Sequence, residues 1–197
     1  MADSPLLVVI TGPSGVGKDT VLRALARRLG DRAHVAVTAT TRPPRPDERH
    51  GVHYYFLSPQ EFESLLQRGE LLENAVVYGH RYGVPRGPLR EALAQGRDVL
   101  LRTDVQGARY IKGQVPQAIT VFLLPPSLEE LERRLRERGH DSPQQMALRL
   151  ETARRELETA EEFDYRVVND QVEEAVERLA RIMEEERRRP GRTPPRL

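Results

Sequence analysis

The chain contains no cysteine, which excludes disulfides, thiolate metal sites and a cysteine nucleophile and fits a reducing, cytoplasmic setting. It also lacks any apolar run near the roughly 20 residues that span a bilayer. The start Met1-Ala2-Asp3-Ser4-Pro5 has neither the basic beginning nor the apolar core of a signal peptide. The expectation is a protein that stays out of membranes and works in the cytoplasm. An excess of one charge sign is missing as well: 31 Lys and Arg against 30 Asp and Glu leave a formal net charge of +1. No overall field therefore draws the chain to nucleic acid or to a membrane surface. Lysine is nearly absent, with Lys18 and Lys112 the only two among 31 basic residues. Arginine stands almost everywhere else that a cation is tolerated, so Lys18 marks a place where a compact point charge is kept. No internal repeat is present, and 197 residues suffice for one folding unit with a small insertion or two.

What is there begins at residues 6–10, an apolar run that reads as a buried parallel strand. Thr11-Gly12-Pro13-Ser14-Gly15-Val16-Gly17-Lys18-Asp19-Thr20 follows, and then Val21, Leu22, Leu25 and Leu29 recur at helical spacing up to Gly30. A glycine-rich turn between strand and helix turns its N–H groups toward one point, the helix adds its positive end, and Lys18 adds a full charge. The pattern matches G-x-x-x-x-G-K, a cradle for nucleotide polyphosphates, except that Asp19 stands where a Mg²⁺-ligating hydroxyl is expected.

Further apolar runs at 98–101, 119–124 and 165–168 alternate with helical patterns at 88–95, 127–138, 143–161 and 171–188, which predicts an α/β fold with parallel strands and crossover helices. Ligands in such folds sit at the C-terminal ends of the strands. Residues 37–86 differ: they hold Tyr54, Tyr55, Phe56, Phe62, Tyr78 and Tyr82 and read as a small, mostly antiparallel inserted lobe of short strands. The charged helices of 126–165, broken at Gly139 to Pro143, read as a partly exposed arm able to move. The terminal 191–197, rich in proline and arginine, reads as a disordered, solubilising tail.

Within the lobe, Thr38-Ala39-Thr40-Thr41-Arg42-Pro43-Pro44-Arg45 places two guanidinium forks three residues apart on a proline-stiffened segment, suited to a second phosphate. At this point the chain resembles the guanylate kinase family. The likeness rests on the phosphate turn, Thr40-Thr41-Arg42-Pro43-Pro44-Arg45, Glu48 with Gly51 and Tyr54, Gly69-Glu70-Leu71-Leu72-Glu73, Tyr82-Gly83 and Asp104-Val105-Gln106-Gly107. It continues through Pro125-Pro126-Ser127, Arg138-Gly139, Arg149-Leu150 and Val168-Asn169-Asp170, so it spans nearly the whole chain.

The resemblance implies a P-loop NTPase-type parallel sheet flanked by helices, with a small GMP-binding lobe at 37–86 and a helical lid at 126–165. The core is then 1–36, 87–125 and 166–190, all of one domain. It implies Mg²⁺-dependent transfer of the ATP γ-phosphoryl group to GMP, giving ADP and GDP for purine nucleotide metabolism. ATP would be held by Gly12, Pro13, Ser14, Gly15, Val16, Gly17, Lys18, Asp19, Thr20 and, near the adenine, Asn169. Arg42, Arg45, Tyr54 and Tyr82 would take the GMP phosphate, with Glu48 and Asp104 also in the GMP site. Glu73, helped by Thr38, would read guanine, because a carboxylate can accept both the ring N–H and the exocyclic amine. Lys18, Arg138, Arg149 and Asp104 would form the catalytic set, with Asp19 as a Mg²⁺ ligand, direct or through water. ATP and GMP are then the partners, with no nucleic acid and no membrane. Two other readings are a non-catalytic interaction module of the same fold and a P-loop kinase with another acceptor.

Three positions depart from the family pattern: Asp19, Val84 after Tyr82-Gly83 where a small hydroxyl residue is common, and Arg102 where a carboxylate is usual. Val84 implies a modestly weaker grip on GMP. Arg102 is expected to pair with Asp104 or Asp19, the latter exchange leaving the local charge nearly unchanged.

Overall fold

A computed structural model describes residues 4–77, 79–137 and 142–197. Five parallel strands form the main sheet: β1 (Leu7–Thr11), β2 (Ala33–Val35), β7 (Asp98–Arg102), β8 (Ile119–Leu124) and β9 (Tyr165–Val168), in the order β2-β7-β1-β8-β9. β1 lies at the centre, with Val8 opposite Leu100 of β7 and opposite Ile119 of β8. Its side chains serve both faces. Leu6, Val8 and Ile10 pack on one side with α1 (Lys18–Leu29), α5 (Leu128–Glu137) and α7 (Val172–Arg188). Leu7 and Val9 pack on the other with α3 (Arg86–Ala94) and α4 (Val105–Gln114). Each such fully buried aliphatic side chain is worth on the order of 1.5–3 kcal/mol, which is why the continuous apolar runs became the strands.

The helix α4 does not stand out in the sequence, since Gly107 and Gly113 interrupt a ten-residue element. Its apolar positions Val105, Ala108 and Ile111 are nonetheless buried at helical spacing. Asp104 caps it, accepting from the Gly107 N–H at 2.8 Å.

The inserted lobe carries the second sheet, of β4 (Tyr55–Phe56), β3 (Ala39–Thr40), β6 (His80–Pro85) and β5 (Leu71–Val77) in that order. β6 runs antiparallel to β3 and β5, while β3 and β4 are parallel, so the sheet is mostly antiparallel. The helix α2 (Pro59–Gln67) covers it, started by a reciprocal Ser58 and Glu61 capping box with Pro59 in the first turn. Phe62 of this helix is fully buried on Ala39 and Leu71.

The arm consists of α5 and α6 (Pro143–Glu158). Leu131 and Leu135 bury one face of α5 in the core, whereas α6 buries Ala153 alone below a tenth exposure among its described side chains. The terminal segment 191–197, expected as a tail, makes contacts with the folded body. It forms neither helix nor strand, yet Pro195 is buried, Leu197 packs against the second core, the one between the main sheet and α3 and α4, and Arg90 Nε donates to the Leu197 carbonyl at 3.0 Å. Arg192 pairs with Glu186 and donates to the Gln117 carbonyl at 2.8 Å, so buried partners and apolar contact hold the segment down.

Candidate functional site

The glycine-rich turn joins β1 to α1 at the C-terminal edge of the sheet, and its shape is enforced by neighbours. Gly12 has φ 134°, and a Cβ there would lie 2.5 Å from the Leu123 carbonyl oxygen of β8. Gly17, at φ 94°, would meet the Asn169 side-chain nitrogen at 2.6 Å. A side chain at either position is excluded by conformation and by space. Asn169 is 3% exposed, and its Nδ2 donates to the Val16 carbonyl at 2.7 Å. The side chain placed near adenine by resemblance thus braces the phosphate turn from beneath. Arg134 of α5 donates to the Asn169 carbonyl at 3.0 Å, tying the root of the arm to the same loop.

Lys18 Nζ donates to the carbonyls of Gly12 and Pro13, at 2.5 and 3.0 Å. Burial lowers its pKa and Glu156 opposes that shift, while Arg102 lowers it further. Lys18 lies in a cleft of about 300 Å³ with Gly12, Ser14, Asp104, Leu148, Arg149, Thr152 and Glu156. Arg149, Thr152 and Glu156 present one face of α6 to it, at i, i+3 and i+7. Glu156 is the residue that sequence reading missed, although its seven-residue spacing from Arg149 was visible. Burial raises its pKa, with Lys18 opposing and Asp104 reinforcing the rise. Ser14, Asp19 and Thr20 are exposed on the turn, while Pro13, Gly15 and Val16 are buried. Arg138 lies outside the described residues, as does Tyr78.

Asp104 also lines a second cleft, of about 320 Å³, with Glu73, Asn74, Ala75, Gln106, Gly107 and Tyr110. Glu73 projects from β5 so closely over α4 that a Cβ on Gly107 would come within 3.3 Å of its Oε1. Burial pushes the Glu73 carboxyl up to about 7, and the neighbouring Asp104 adds to the shift. The Gly107 N–H that could have stabilised its charge is already taken by Asp104.

On the lobe, Arg42 Nη2 donates to both carboxylate oxygens of Glu48 at 2.8 Å, and the Arg45 backbone N–H donates to Glu48 Oε2, also at 2.8 Å. The Arg42 guanidinium stands 5.5 Å from the Tyr54 ring centre, and the Tyr54 and Tyr82 rings meet edge-on at 6.1 Å. Glu48 and Tyr82 raise the Arg42 pKa, while the Arg45 N–H and then Arg42 hold the Glu48 carboxyl below its usual range. Glu48, placed in the GMP site by resemblance, is an orienting group for the arginine segment; Arg45 itself is exposed. Thr38, Glu48 and Tyr54 line a third cleft, of about 450 Å³, whose opposite wall includes Asp19 and Arg102. Asp19 and Arg102 form an ion pair there, Asp19 being one of the two partners, with Asp104, expected from the sequence. Val84 is 2% exposed, packed in the second core, and lines none of these clefts.

A family model described as guanylate kinase matches residues 4–186. A guanylate kinase of Thermosynechococcus vestitus is 52% identical over 170 residues, covering 86% of this chain and 88% of that protein. One of Thermus thermophilus is 51% identical over 186 residues, covering 94% and 84%. The crystal structure of guanylate kinase from Anaplasma phagocytophilum superposes with a TM-score of 0.74 at 32% identity, covering 96% of this chain and 90% of that one.

Proposed function

The chain belongs to the guanylate kinase family, and on that premise we propose that it transfers the γ-phosphoryl group of ATP to GMP, giving ADP and GDP. The observation that carries the reading is Asp104, which walls both the cleft holding Lys18 and the cleft holding Glu73. A donor phosphate site and a base-reading site thus share one residue, the adjacency that direct transfer between two nucleotides requires. Relatives named guanylate kinase, alike over most of both chains, favour the enzyme over an interaction module.

In this reading the donor phosphates lie on the N–H groups of the turn at 12–20, with Lys18 leaving its two carbonyls to meet them. The acceptor phosphate is received by Arg42, Arg45, Tyr54 and Tyr82, whose donors need no change of protonation. Glu73 accepts from the guanine N1–H and 2-amino group, with Thr38 beside it. Phosphoryl transfer needs alignment and charge neutralisation rather than a protein nucleophile, so Lys18, Arg149 and Arg138 suffice as the cationic set. Movement of α6 toward the turn would bring Arg149 over the reacting oxygens and exclude water.

The donor set suits Mg²⁺, which takes one or two carboxylates and completes its shell with phosphate and water. Asp19, exposed directly after Lys18, and Asp104 are the residues that would hold it. When bound, the ion neutralises and aligns the donor phosphates. A cytoplasmic setting is part of the same proposal, and no helix among the described residues is long and apolar enough to cross a membrane.

A coupled assay of ADP formation tests the reading. Rapid turnover with GMP, and little with AMP, CMP or UMP at neutral pH, is the expected result; ATP hydrolysis indifferent to added nucleotide would overturn it.

A further inference from the structure

The reading above gives Asp19 a place as a Mg²⁺ ligand but leaves its ion pair with Arg102 without a role. Asp19 follows Lys18 in the first turn of α1, where a bare carboxylate would repel any incoming phosphate. Arg102 ends β7, and its charge reaches Lys18. The two side chains keep 51% and 43% exposure respectively, so the pair is reachable from solvent rather than sealed in the core. Both belong to the wall of the cleft that Thr38, Glu48 and Tyr54 close from the lobe side. Arg42 is held over Tyr54, so the acceptor-phosphate residues border that cleft directly. A guanidinium has five N–H donors, and one carboxylate occupies at most two of them in a fork.

We propose that Arg102 is a further binding residue for the acceptor's phosphate, and that Asp19 holds it in reserve. The proposal rests on the reading of the lobe as a GMP site. While paired, the two charges cancel and the cleft gains little attraction for an anion. When the Asp19 carboxylate turns to a divalent cation, the guanidinium is released to the 5′-phosphate of the acceptor. Cation binding on the donor side and monophosphate binding on the lobe side are thereby coupled through one exposed, exchangeable pair. An exposed pair suits this role because breaking it costs little.

The test is calorimetric titration of the whole protein with GMP, without ATP, so that no turnover enters the readout. In millimolar magnesium, Arg102→Gln should weaken GMP binding by about fivefold or more, the loss of one charge-assisted contact, and Arg102→Lys should restore part of it. Asp19→Asn should tighten metal-free GMP binding about threefold or more, and that gain should vanish in the Arg102→Gln background. Millimolar magnesium should tighten GMP binding to the wild type but not to Asp19→Asn. An equal gain from Asp19→Asn in both backgrounds would mean through-space repulsion alone and would overturn the proposal. Unchanged GMP affinity in Arg102→Gln with magnesium present would overturn it as well while leaving the acceptor site standing. A wild type that takes no GMP at any magnesium concentration would instead remove the acceptor reading and the role of the pair together.

Discussion

Glu73 is where a single side chain carries the choice of base, and its burial makes that choice depend on the proton. The carboxylate presents two acceptors, matching the N1–H and 2-amino group of guanine; the acid presents one donor and one acceptor, matching N1 and the 6-amino group of adenine. Its carboxyl is pushed up to about 7 by burial and then by Asp104. GMP binding therefore favours the deprotonated form and strengthens as pH rises through about 7. The ratio of GMP to AMP affinity should rise between about pH 6 and pH 8 and level off above, by at most tenfold per pH unit. Both nucleotides carry the same 5′-phosphate, so its titration cancels in the ratio. Glu73→Gln should flatten this dependence and favour AMP; a ratio independent of pH in the wild type would count against the assignment. For the protein without ligand the sign is opposite. The folded state keeps this proton to higher pH than the unfolded chain, so the contribution of Glu73 to stability falls between the ordinary carboxylate range and about 7. Val84 shows the other outcome at this scale. Being buried in the second core, Val84→Thr should cost about 1–3 kcal/mol in denaturant unfolding for an unpaired hydroxyl, with GMP affinity nearly unchanged.

Among the elements, the phosphate turn and the arm helix α6 set the donor side. The turn depends on Asn169 across the sheet edge, through its bond to the Val16 carbonyl. Asn169→Ala should raise KM for ATP more than KM for GMP and lower stability by about 1–3 kcal/mol, since a buried carbonyl loses its donor. Equal effects on both KM values would argue that the residue serves general stability alone. On α6, Glu156 lies in the Lys18 cleft and raises the lysine pKa against the lowering by burial. Glu156→Gln should therefore move the alkaline limb of the kcat/KM profile to lower pH, because Lys18 then loses its proton sooner. An unmoved limb would show that the two charges do not communicate. The strands at 98–101 and 119–124 were legible because their apolar runs answer to burial on both faces, which is a local property of the chain; at 165–168 only Val167 is buried, and the signal is correspondingly shorter. The helix α4 was not legible, because its glycines weaken the local pattern and its buried apolar positions Val105, Ala108 and Ile111 become meaningful only against β5 and the main sheet.

At the scale of the whole molecule, the C-terminal segment closes the fold. Glu186 is 4% exposed and takes Arg192, Arg189 and the Tyr165 hydroxyl as partners. Removal of residues 189–197 should lower stability by about 3 kcal/mol, since a buried carboxylate would lose its cations, and should leave kcat for GMP phosphorylation within about twofold of the intact chain. Thermal unfolding of the truncated chain, with activity measured well below its Tm, checks both parts. The sequence by itself determined the parallel core and the phosphate turn, because strand burial, glycine conformation and charge type are written within short windows; the candidate residues of the lobe and the arm were named through resemblance to the family. Only the tertiary structure decided that Asp19 pairs with Arg102, that Asp104 walls two clefts, that Asn169 supports the turn and that the tail is anchored. Those facts depend on distances and dielectric surroundings created by segments dozens of residues apart, and such quantities exist only once the chain has folded.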